Sequence, residues 1–153
     1  MRIEVVRESG VRFTAHVGAH DLVYDQPESA GGTRAGPTPT DAFVASLAGC
    51  VAYYATQFLI RHEKSADGLR VVADFAMAQH PSRVAEIGIE VLVKDELPGT
   101  MAAALQAVVE HCTVHNSITQ APHVRIGVAT EPQTARSLQS SRSRWGREAR
   151  AGR

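Results

Sequence analysis

Two cysteines are the residues in this 153-residue chain best suited to covalent chemistry. Cys50 lies in the uncharged, alanine-rich stretch Ala42–Ile60, and Cys112 follows 62 positions later within Glu110–His115. A thiolate can attack a peroxide, become a sulfenic acid, and be condensed by a second thiol into a disulfide. The same residues serve equally as small buried hydrophobes, the commoner fate of an intracellular cysteine, and their separation does not decide between the two. Neither is expected at a helix N-terminus, where the dipole depresses a thiol pKa, so a reactive Cys50 needs a cation brought to it. Arg7 beside a hairpin turn and Arg34 in a glycine-rich loop are the candidates, against the plainer reading of solvated surface arginines.

Other chemistries find less support. His111-Cys112-Thr113-Val114-His115 contains zinc-type ligands but lacks a fourth for a closed tetrahedral site. A Cys112–His nucleophile pair would lack any nucleophile-elbow pattern. The loop GGTRAG (31–36) precedes a helix like a phosphate cradle, yet it has neither GxGxxG nor GK[ST] spacing, and Pro39 removes a helix-terminal donor.

The elements that must hold these residues read as α+β. Arg2–Val6 and Val11–Val17 alternate around Glu8-Ser9-Gly10, which predicts a hairpin, with Leu22–Tyr24 as a third strand. Asp25–Pro37 is a Gly/Pro/Ser-rich loop. Thr38 as N-cap, Pro39 at the first helical position and Asp41 at the third predict a capped helix to about Arg61. It is apolar on most faces, so it must be surrounded by protein. Leu69–Ala78 and Val84–Val93 predict a strand pair. A second helix runs from Pro98-Gly99-Thr100 to about His111, residues 112–121 are short and irregular or helical, and Val124–Ala129 is a last strand. A fold of ~130 residues with a helix buried on every side points to an intertwined dimer.

Composition narrows the classes further. At 44% hydrophobic and 21% charged residues the chain can build a core, and two cysteines are too few for a disulfide scaffold. The zero net charge divides unevenly: residues 134–153 carry six arginines and one glutamate, leaving ten basic and fifteen acidic side chains in 1–133. The expectation is an acidic domain over 1–132 and a basic, disordered tail over 133–153, a solvated appendage rather than a nucleic-acid arm. Ala42–Ile60 is nearly long enough to span a bilayer, but Ser46, Gly49, Thr56 and Gln57 make insertion poor. With Met1–Arg12 unlike a secretory signal, no membrane association and a cytoplasmic location are expected.

Two segments, DQPESAGGTRAGPTPTDAFVASLAGC (25–50) and EHCTVHNSITQAPHVRIGV (110–128), resemble the OsmC/Ohr family, the osmotically inducible and organic-hydroperoxide-resistance proteins. The likeness spans about residues 1–130. It implies an OsmC-like antiparallel sheet with a central buried helix and a second helix, in an intertwined homodimer with active sites near the subunit interface. It implies a thiol-dependent peroxidase with Cys50 as peroxidatic and Cys112 as resolving cysteine. It also implies organic hydroperoxide substrates, a dithiol or lipoylated-protein reductant, and no metal or organic cofactor. Arg7 matches the Ohr-like arginine before the hairpin turn and Arg34 the OsmC-like arginine ahead of the helix. In the family pattern a glutamate follows the helix-starting proline and positions that arginine; here Thr40 stands there, with Asp41 next. Phe43, Leu47, Tyr53 and Tyr54 share or adjoin the Cys50 face and could line an apolar pocket, or simply pack the core. Two further readings stay open: a catalytically weak dimer that senses redox state or binds a small apolar ligand, and a scaffold whose arginine tail docks an anionic partner.

Overall fold

A tight turn at Gly10–Val11 opens the computed structural model, which describes residues 2–130. Gly10 has φ +54°, which glycine adopts without steric penalty. β1 (Ile3–Ser9) therefore runs past the expected turn before pairing with β2 (Arg12–Val17), and β3 (His20–Tyr24) completes an antiparallel sheet in the order β1-β2-β3. All of β1 is exposed, and Ile3, Val5, Val6, Leu22 and Val23 leave apolar surface open on this sheet.

The predicted helix start is present in full. Thr38 caps α1 (Pro39–Arg61): its hydroxyl oxygen accepts from the Asp41 N–H at 3.1 Å, and Asp41 Oδ2 accepts from the Thr38 N–H at 3.0 Å. Val44, Leu47, Val51, Ala55, Phe58 and Leu59 recur at three- and four-residue spacing and form the buried stripe. That stripe packs on a second antiparallel pair, β4 (Arg70–Gln79) and β5 (Ser82–Leu92), through Val71, Ile87, Ile89 and Val91. α2 (Gly99–Val109) adds Leu105 to the lower core around Phe58 and Leu59, and α3 (Thr113–Thr119) follows it directly. The described residues cover only one side of α1: Phe43, Tyr53 and Ile60 on the other are 42%, 61% and 59% exposed. Length and composition would let α1 cross a membrane, but it serves here as the core helix of an α+β unit.

Leu59 is 1% exposed at the centre of the lower core. Leu59→Ala is expected to destabilise the fold by about 2–5 kcal/mol through lost transfer energy and a residual cavity. Urea unfolding at one fixed protein concentration reads this out.

The expected strand Val124–Ala129 is not formed. Residues 122–130 have no assigned secondary structure, with Val124, Ile126 and Val128 at 71%, 90% and 100% exposure. Alternation marks a segment with one apolar edge but supplies neither a ladder partner nor a surface to cover that edge. The arginine-rich segment 133–153 lies outside the described residues.

Candidate redox site at Cys50 and Cys112

Both cysteines are free thiols, Cys50 half-buried on α1 and Cys112 fully buried. Cys112 forms a core cluster with Leu47 and Val51, against which Cys50 packs, so consecutive turns of α1 lie beside Cys112. Burial pushes the Cys112 pKa up, and the neighbouring Cys50 thiol raises it further. Against these, the backbone N–H groups of His115 and Val114 favour the Cys112 thiolate, that of His115 donating to Sγ at 3.4 Å. Sequence separation left their proximity undecided; in the fold both belong to one packed cluster.

One expectation is corrected. Cys112 does not sit at the spent C-terminus of α2, which ends at Val109, but is the N-cap of α3. The break at Glu110–His111 lets the chain start a new helix, and the thiol takes the acceptor role usually filled by a Ser or Asp oxygen. The histidines on either side have other work. His111 Nδ1 donates to the Ala107 carbonyl at 2.7 Å, and His115 Nδ1 donates to the Glu110 carbonyl. Among the described residues no group of three His, Cys, Asp or Glu side chains is placed to hold a metal ion.

The two arginines differ in their freedom. Arg7 Nε donates to the Gly10 carbonyl at 2.8 Å, tying it to the hairpin turn. Arg34 is exposed, and its guanidinium has no hydrogen bond or ion pair among the described residues. Its backbone has φ +57°, a conformation that a non-glycine residue keeps only when its surroundings impose it.

Those surroundings centre on Asp25, which sequence reading passed over. Asp25 is 1% exposed, and its carboxylate accepts from the Thr33 hydroxyl (2.7 Å) and from the N–H groups of Gln26 (2.8 Å), Thr33 (2.9 Å) and Ala35 (3.1 Å). Arg34 is thus clamped between two anchored neighbours, and its own N–H donates to the Gln26 carbonyl. Glycine is required beneath it: a Cβ at Gly32 would lie 1.8 Å from the Gln26 oxygen, and one at Gly36 2.3 Å from the Val23 oxygen. An Asp opening a Gly/Ser/Thr loop is a known turn former and was the available signal.

The Thr33 hydroxyl first, then the Ala35 N–H, hold the Asp25 carboxyl well below the usual carboxylate range, against an opposing effect of burial. A carboxyl lowered on folding stabilises the protein above its unfolded pKa of about 4, and that contribution drains away as pH falls below it. The stability gap between wild type and Asp25→Asn should therefore be full above about pH 5 and shrink below about pH 4. Denaturation midpoints measured across that range check it.

Asp41 does not reach the thiols. Its Oδ2 accepts from both the Thr38 N–H (3.0 Å) and hydroxyl (2.8 Å), and it stands nine residues before Cys50, an axial rise of about 13.5 Å. Thr40, between Pro39 and Asp41, carries no carboxylate. Of the four apolar residues expected around a pocket, Leu47 is buried core and lines an open groove of about 1000 Å³ with Val51, Ile89, Val109 and His115. Phe43 and Tyr53 lie on the exposed face of α1, and Tyr54 faces α3.

A family model described as OsmC-like protein matches residues 31–127, a span that includes Arg34 and both cysteines but not Arg7. No curated protein matches the chain significantly. Among solved structures, a Psychrobacter arcticus protein classed with osmotic stress induced and detoxification response proteins is 24% identical, with TM-score 0.70 over 75% of this chain and 85% of its own. An OsmC like protein from Mycoplasma pneumoniae is 19% identical, with TM-score 0.68 over 84% and 93%. The organic hydroperoxide resistance protein OhrB of Bacillus subtilis is 20% identical, with TM-score 0.52 over 79% and 93%. At these identities the likeness establishes the fold.

Proposed function

The chain belongs to the OsmC-like protein family, and from that premise we propose that it is a thiol-dependent peroxidase that reduces organic hydroperoxides. The observation that carries this reading is that Cys50 packs against the same buried cluster, of Leu47, Val51 and Cys112, that holds the second thiol. The Cys50 thiolate attacks the terminal oxygen of ROOH; an S–O bond forms, the O–O bond breaks, and the alkoxide leaves as ROH after taking a proton. Cys112 loses its proton, helped by the two backbone N–H groups at the start of α3, and attacks the Cys50 sulfenic sulfur. Hydroxide leaves as water, and an external dithiol or lipoylated protein returns the disulfide to two thiols.

Arg34 is the cation proposed for Cys50, because Arg7 is engaged by its own turn and lies outside the family match. Arg34 precedes a helix on which Cys50 is the twelfth residue, about 16 Å along the axis. That span favours an arginine from a second copy of the chain. The uncovered apolar surface of α1 and of the first sheet supports a homodimer in which this happens. Such a dimer would work in the cytoplasm.

Rapid loss of cumene or tert-butyl hydroperoxide in the presence of a recycling dithiol is the expected result. A second reading, a redox sensor or binder of a small apolar ligand, is favoured by Asp41, whose carboxylate is occupied in the helix cap. Slow turnover equal to that of the cysteine-free background would leave that reading in place of the peroxidase.

A further inference from the structure

Cys112 ends a three-residue break between helices, Glu110–Cys112, so its place beside α1 depends on what holds this short segment. Tyr54 lies four residues after Cys50, on the same face of α1 and one turn further along. Its ring packs with the cluster of Leu47, Val51 and Cys112, and its hydroxyl is 3.1 Å from the hydroxyl of Thr113. Thr113 adjoins Cys112 and is the first residue of α3. One side chain on α1 thus holds the turn that presents the second thiol, within a helical turn of the first.

We propose that Tyr54, through Thr113, is a positioning residue for disulfide closure: its hydroxyl holds Cys112 in reach of an oxidised Cys50 and takes no part in the chemistry at either sulfur. The inference rests on the pairing of Cys50 with Cys112 argued above. Its effect belongs to the second step alone, because the hydroxyl pair acts on the segment bearing Cys112 and leaves α1 around Cys50 unchanged. Preorganisation of this kind raises the effective concentration of an intramolecular nucleophile.

An aromatic disulfide, dithiobis(nitrobenzoate), separates the steps without a peroxide. The Cys50 thiolate takes one half of the reagent and releases the other as a coloured thiolate. Cys112, giving up its proton, then attacks the Cys50 sulfur and expels the second half. The two cysteines supply two electrons, and the reagent ends as two thiolates. In Tyr54→Phe, which keeps the ring, the first release is expected at the wild-type rate. The second should be slowed by about two- to tenfold, the effect of losing one ordinary hydrogen bond. Thr113→Val should match it, and the double variant should be no slower than either single one.

Equal second-phase rates in wild type and Tyr54→Phe would overturn the proposal. So would equal slowing of both phases, which marks a general disturbance, or no second release from wild type, which would dissolve the pairing itself. If wild type ignores hydroperoxides yet shows the slowed second phase only in the variants, the peroxidase reading fails while the positioning role stands.

Discussion

A Cys50→Ser variant is expected to lose hydroperoxide turnover by at least ~10³-fold, the scale seen when an enzyme's attacking atom is removed. Serine nearly preserves the side chain's size, so the half-buried position on α1 and the packing against Leu47, Val51 and Cys112 should survive. What disappears is a polarizable sulfur that can accept an oxygen and later surrender it; a hydroxyl has no sulfenic state. Cys112→Ser should behave differently. Its Cys50 should still consume one equivalent of hydroperoxide, then stall as sulfenic acid and proceed to the sulfinic form under excess peroxide. Stopped-flow loss of cumene hydroperoxide, paired with intact mass, separates the two variants. Equal turnover in wild type and Cys50→Ser would remove the thiol from the reaction.

Arg34→Ala is expected to slow the oxidation of Cys50 by about 10²-fold, the usual effect of removing one preorganised donor from a developing negative charge. The structure holds Arg34 in a left-handed conformation between two residues anchored on Asp25, and leaves its guanidinium without a partner in the described chain. Arg7→Ala should change the rate by no more than about twofold, because an exposed side-chain bond within a hairpin turn contributes little beyond that turn. Arg34→Lys should fall between: the charge remains, but the planar fork that matches two oxygens is gone. Single-turnover rates at fixed pH check all three. A large effect at Arg7 and none at Arg34 would reverse the assignment.

Much of this was legible in the residues. Thr38, Pro39 and Asp41 announced the start of α1 because a capping box is local chemistry, readable without knowing the fold. The two strand pairs followed from alternation. The last strand failed for the complementary reason: Val124, Ile126 and Val128 alternate correctly, but pairing depends on a neighbour that local pattern does not specify. The cysteines were visible as residue types, while their proximity was not, since a separation of 62 positions constrains no distance. Cys112 as an N-cap was missed because His111 and Val114 do not announce a helix break, and a thiol is an uncommon cap. Asp25 looked like one polar residue in a polar loop. Only the folded loop shows that its carboxylate gathers four donors and fixes the backbone of Arg34.

That Cys50 and Cys112 form one redox pair is tested most directly by adding one equivalent of cumene hydroperoxide to the reduced full-length protein and mapping its peptides without reductant. Loss of two thiols per hydroperoxide, with the peptides bearing Cys50 and Cys112 joined by a disulfide within one chain, is the predicted result. Persistence of both thiols, or a disulfide formed only between chains, would contradict it.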